Sequence, residues 1–164
     1  YELAISIGVL HHTNNCLEGI KSIIKGIIKK NGKIYIGLYN KFGRKPFLEY
    51  FYGLKEKGKK EDEIFEKYSE LHSNLKDKTH LKSWFRDQVL HPKETQHTLS
   101  EIVPIIEPEY KIISTSLNKF EQIKNLDEIL NEEEKWYDFG LNKLRNNIYF
   151  PGFFIVCCER VLQP

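Results

Sequence analysis

Tyr1-Glu2-Leu3-Ala4-Ile5-Ser6-Ile7-Gly8-Val9-Leu10-His11-His12-Thr13 opens the chain, and Lys30-Asn31-Gly32-Lys33-Ile34-Tyr35-Ile36-Gly37-Leu38-Tyr39-Asn40 follows after a stretch of helical spacing. Leu3 to Leu10 is an almost unbroken apolar run, the pattern of a strand buried on both faces of a parallel sheet. Gly8, near its carboxyl end, allows another group to come close. Asn14-Asn15 offer caps, after which Leu17, Ile20, Ile23, Ile24, Ile27 and Ile28 recur at helical intervals until Asn31-Gly32 stops the helix. Ile34, Tyr35, Ile36 and Leu38 then form a second strand. Residues 1–40 thus read as a β-α-β crossover. Its strands run parallel, so their carboxyl ends share the sheet edge where open α/β sheets bind ligands. His11, His12, Tyr39 and Asn40 are expected at one crevice.

Outward from that unit, Lys41-Phe42-Gly43-Arg44-Lys45-Pro46 reads as a basic loop. Phe47 to Ser100 is polar and mostly helical in pattern, a helical insertion with Lys and Glu interleaved around apolar anchors. Within it, Trp84 to Thr98 joins two helices, with the break at Pro92, because the residue before a proline avoids helical backbone. A third strand is expected over Tyr110–Leu117, following Pro108. Leu126, Ile129 and Leu130, then Trp136, Tyr137, Phe139, Leu141 and Leu144, predict one or two further helices. Tyr149–Cys158 is the last strand, with a proline-glycine irregularity near its start.

The 164 residues accommodate one domain with a substantial core, and 40% apolar content fits a soluble globular class rather than disorder. The chain begins at Tyr1, contains no Met, and opens directly on strand-like residues, so it is expected to be part of a longer protein. A formal net charge of +2, with both signs interspersed, favours neither nucleic acid nor a membrane surface as partner. No apolar run approaches the ~18 residues of a membrane span. Cys16, Cys157 and Cys158 make no disulfide framework, which points to a reducing, cytoplasmic setting. Neither CxxC nor HxxxH occurs, so no metal is expected. Oligomeric state is not legible.

The opening stretch through Val9-Leu10-His11-His12-Thr13 resembles the region around the fourth strand of class I S-adenosylmethionine-dependent methyltransferases. Lys30-Asn31-Gly32 is similar to their turn before the fifth strand. Gly37 to Arg44, and Arg86-Asp87 with His91-Pro92-Lys93-Glu94, resemble a branch with a helical insertion after that strand. The resemblance implies an α/β, Rossmann-like methyltransferase sheet, mostly parallel, whose last strand inserts antiparallel. Of its seven strands the chain would hold four. Residues 1–164 would be the carboxyl-terminal part of one domain, divided into the 1–40 unit, a 41–108 helical insertion or lid, and 109–164 with the last strands and helix. The family's glycine-rich loop and the acidic residue that hold the cofactor's methionine and ribose are absent, so this part alone is expected to bind poorly. Glu2 and Asn31 depart from the usual Asp and Pro, away from the ligand edge.

On that resemblance the cofactor is S-adenosyl-L-methionine, lined by Gly8, Val9, Leu10 and His11, and the methyl goes to a small-molecule or nucleobase-like acceptor. His12 is the candidate catalytic base, since imidazole accepts a proton near neutral pH; the competing role for either ring is to cap the next helix or pack beneath the cofactor. Tyr39, Asn40, Arg44, Trp84 and Arg86 are acceptor-side candidates. A solvated loop charge is the competing role for Arg44, and a helix joint with Trp84 and Phe85 in the core is the competing reading of the 84–98 segment. Cys16 lies at a helix start, which lowers a thiol pKa, but has no triad around it. Two alternatives stand beside the enzyme: a non-catalytic methyltransferase-like module that binds a partner protein, and another nucleotide-using α/β enzyme.

Overall fold

The first expectation concerns direction, and a computed structural model, which describes residues 1–26, 31–91, 93–107 and 109–161, meets it. Strand β1 (Leu3–Ile7) pairs parallel with β2 (Lys33–Asn40), Leu3 opposite Lys33 and Ile7 opposite Gly37. Helix α1 (Cys16–Gly26) crosses between them and buries Cys16, Ile20 and Ile24 on one face. The expected contributions of Ile27, Ile28 and Lys30, and the breaks at Pro92 and Pro108, lie outside the described residues.

The sheet is five-stranded and mixed. Strand β5 (Phe153–Arg160) inserts between β2 and β4 (Tyr110–Thr115), antiparallel to both, which gives the order β1-β2-β5-β4. The antiparallel last strand is therefore as expected, though it starts four residues later than the Tyr149 limit and runs on to Arg160. Gly152 precedes it at φ +73°, and a Cβ there would lie 2.2 Å from the Arg44 backbone nitrogen, so only glycine fits. Two-residue β3 (Gln96–His97) pairs parallel with Tyr39 and Asn40; it was not foreseen, being too short to show alternation.

Two expectations need correction. Residues 41–46 are not a loop but the start of α2 (Lys41–Glu56), because the Asn40 side chain accepts from the Phe42 and Gly43 N–H groups and caps the helix. β1 is not buried on both faces. It is an edge strand with Ala4 and Ser6 turned inward, while Leu3, Ile5 and Ile7 are 49%, 63% and 45% exposed, since no described element covers that side. In direction the sheet is as expected: β1, β2, β3 and β4 all run the same way, and only the last strand, β5, runs against them.

Two apolar clusters divide the helices. α1 and α5 (Leu99–Ile106) cover one sheet face, with Ile34, Ile36, Leu38, Phe154 and Val156 beneath them. α2 packs with α3 (Glu61–Glu70) and α4 (Lys78–Phe85) around Phe47, Phe51, Ile64, Tyr68 and Phe85. Helical residues between 41 and 108 thus belong to both clusters, α5 joining the sheet. Its start is set by a capping box in which Thr98 Oγ1 accepts from the Glu101 N–H and the Glu101 carboxylate accepts from the Thr98 N–H. α6 (Leu126–Glu132) and α7 (Trp136–Arg145) follow, and Gly140 of α7 lies against the Gly43 carbonyl, where a side chain would not fit.

Candidate functional site

The parallel pairing of β1 with β2 puts both carboxyl ends on one rim, and β3 joins them there through its pairing with Tyr39 and Asn40. Just past β1, Gly8 adopts φ +75°, which a side-chain-bearing residue would resist, and turns the chain into a short 3₁₀ turn, Leu10–His12. The turn carries both imidazoles onto the rim. His11 packs 4.2 Å from His12 and 4.5 Å from Tyr39, ring centre to ring centre, and His12 packs 4.2 Å from His91.

The two imidazoles differ in what they can do. His11 is 2% exposed and its Nδ1 has no hydrogen-bond partner. Burial, helped by the neighbouring His12, pushes its pKa down to about 4, so the ring is neutral near pH 7 and a poor proton acceptor. His12 is half-buried, with Nδ1 3.1 Å from the Lys93 carbonyl. A carbonyl only accepts, so this contact is a hydrogen bond only in a ring that carries its hydrogen on Nδ1, the neutral tautomer that leaves the lone pair on Nε2. That Nε2 lies 3.6 Å from the Asp87 carboxylate, which would pair with the ring once it is protonated. Tyr39 offers no phenolate, because burial raises its pKa to about 12.

Arg44 is not the solvated loop charge of the competing sequence reading. It is fully buried and forked onto Glu94, Nε to Oε1 at 2.9 Å and Nη2 to Oε2 at 2.6 Å. It also donates to the Gln88 and Pro151 carbonyls, and its guanidinium lies 3.9 Å from the Tyr39 ring centre and 4.4 Å from that of Phe47. With its fork occupied by Glu94, Arg44 has little left for an anionic acceptor. Asn40 is equally committed: besides capping α2, its amide donates to Glu133 at 2.6 Å.

The remaining candidates separate. Leu10 turns its side chain into the core against Gly19, so only its backbone faces the rim, whereas Val9 is exposed. Trp84 is not a core anchor; it is 38% exposed, with His72, His80 and Tyr149 as ring neighbours and no ring contact to His11, His12 or Tyr39. Arg86 is exposed at the start of a π-helical turn, Arg86–Leu90, and the next residue, Asp87, is the one that reaches His12. Cys16 is buried with its pKa raised to about 11, the opposite of an activated thiol.

Sequence reading named Glu94 in the 91–94 stretch but missed its pairing with Arg44, and it missed Gln88 and Glu133. Glu133 is buried between the α5 start and Asn40, accepting from the Leu99 N–H at 2.6 Å, and its burial raises its pKa. Each partner lies tens of residues away, and no local spacing marks such pairs. Among the described residues no group of three His, Cys, Asp or Glu side chains could hold a metal ion, and no helix is long and apolar enough to cross a membrane. Neither a protein-family model nor a curated protein matches the chain.

Proposed function

We propose that the chain is the carboxyl-terminal half of a class I S-adenosylmethionine-dependent methyltransferase domain acting on a small-molecule or nucleobase-like acceptor. One observation carries the reading: an antiparallel β5 is inserted between β2 and β4, beside a parallel β1–β2 pair whose rim bears the His11-His12 turn. That is the strand arrangement the sequence resemblance implies.

The rim residues fit the cofactor. A Cβ at Gly8 would meet nothing within 4 Å, so the space beside the turn is open to a ligand, and the exposed Val9 adjoins it. Gly8, Val9 and the Leu10 backbone would hold the cofactor, with the neutral His11 behind them. Bound there, S-adenosylmethionine supplies an electrophilic methyl group on a sulfonium. The chain's own part is alignment and proton removal: His12 Nε2 would take the acceptor's proton as the nucleophile attacks, the Lys93 carbonyl would hold the ring in the tautomer that leaves Nε2 free, and the Asp87 carboxylate would pair with the resulting imidazolium. The further strands that the reading requires would join β1 on the edge that no described strand pairs with, and their crossover helices would cover Leu3, Ile5 and Ile7.

Calorimetric titration of the protein extended through its upstream coding sequence tests this. Saturable binding of S-adenosylmethionine is expected, and silence at millimolar ligand leaves the non-catalytic module as the reading. In an active protein His12→Ala should lower kcat by about 10²- to 10⁴-fold, with cofactor affinity unchanged. An undiminished rate removes His12 from the chemistry.

A further inference from the structure

The carbonyl that lies against His12 Nδ1 is not positioned by the His12 turn itself. Lys93 is an exposed residue, and what brings its carbonyl to the rim is the chain on either side of it. Next in sequence, Glu94 is clamped by Arg44 through two short charge-assisted bonds, with the paired side chains 9% and 0% exposed. Thr95 then donates its N–H to the His11 carbonyl at 2.9 Å, with its hydroxyl on the same oxygen at 3.2 Å. Upstream, Arg44 also holds the Gln88 carbonyl at 2.8 Å, and the Gln88 side-chain oxygen accepts from Tyr68 and Tyr149. One guanidinium therefore fixes the segment before His91 and the segment after Lys93.

We propose that Glu94 is a positioning residue for His12: its buried pairing with Arg44 anchors the segment that crosses the rim, so that the Lys93 carbonyl holds the Nδ1 hydrogen and Nε2 stays free beside Asp87. The proposal rests on the reading of His12 as proton acceptor for its purpose, but not for its test. Arg44 and Glu94 never touch the acceptor. They act through 93 and 95, which is why a charged pair can sit buried beside a reactive rim without serving as a binding fork.

The test is the imidazole nitrogen spectrum of His12 in ¹⁵N-labelled chain, recorded where the ring is neutral, so it needs neither cofactor nor acceptor. The Nδ1–H form is expected to dominate. Glu94→Gln keeps the side chain's shape but replaces one acceptor oxygen of the fork with an NH₂ group, and it should lower the ratio of Nδ1–H to Nε2–H by about tenfold, the worth of one ordinary hydrogen bond. Glu63→Gln, which removes an exposed pairing between Glu63 of α3 and Lys59 just before that helix, should leave the ratio unchanged. Should Glu94→Gln not fold, Thr95→Val loosens the same segment more gently and should shift the ratio in the same direction.

A wild-type ring mainly in the Nε2–H form overturns the proposal. So does a folded Glu94→Gln, or a Thr95→Val standing in for it, with the wild-type ratio. Absence of cofactor binding in the extended protein would sink the methyltransferase reading and leave these spectra as they are. Normal turnover with an altered ratio would sink only the positioning role.

Discussion

At the scale of single residues, the rim is governed by what burial does to charge. His11 is neutral because a buried imidazolium would lose its hydration, and this has a cost that depends on pH. The unfolded ring binds its proton below about pH 6.5, whereas the folded ring does so only near pH 4. Between those values the unfolded state holds more protons, so folding stability rises with pH and falls on acidification. At pH 5 the penalty is about 2 kcal/mol relative to pH 7. Urea unfolding of His11→Phe at both pH values should show an acid loss smaller by that amount; an equal loss in both proteins would mean that His11 is not held neutral. The placement of His11, His12 and Tyr39 was legible from a strand end followed by polar residues. The pairing of Arg44 with Glu94 was not, since the two lie 50 residues apart and the sequence around Arg44 reads as a basic loop.

At the scale of elements, the start of α2 shows one side chain overriding the local pattern. Gly43 and Pro46 both argue against a helix, yet Asn40 ends β2 and caps α2 within a single residue. Its Oδ1 accepts from Phe42 and Gly43 while its Nδ2 donates to Glu133, so the same amide ties the strand, the helix and the α6–α7 junction together. Asn40→Ala should cost about 1 kcal/mol for the cap and about 1–3 kcal/mol for the buried acceptor left with one partner fewer. Asn40→Ser, which keeps a capping oxygen but cannot reach as far, should recover mainly the first part. A chemical denaturation series on the two variants checks the partition, and equal losses would show that the cap contributes nothing. Helix α1 and the two principal parallel strands were readable because their periodicity is local. β3 was not, because two residues carry no period and only the Tyr39 and Asn40 backbone makes them a strand.

At the scale of the whole molecule, one sheet face is covered and the strand at its edge is half open. Ile36 lies beneath α1 and α5, so Ile36→Ala should cost about 2–5 kcal/mol. Ile5 faces outward at 63% exposure, and Ile5→Lys in this chain should change stability by no more than about 0.5 kcal/mol. In the protein extended upstream, the same substitution is expected to destabilise strongly, because the proposed methyltransferase sheet would bury that side. A neutral effect in both forms would show that the face stays in water. The alternation of apolar runs, helical stripe and glycine turns determined by itself that the chain is α/β, that its first two strands are parallel, and that two histidines stand at a strand end, since each follows from neighbours in sequence and the handedness of the crossover. Only the tertiary structure decided which charges are buried, which imidazole is buried and which stays half-exposed beside a carboxylate, and that β1 is the edge strand among the described residues. Those depend on groups brought together from distant parts of the chain, and no local period records them.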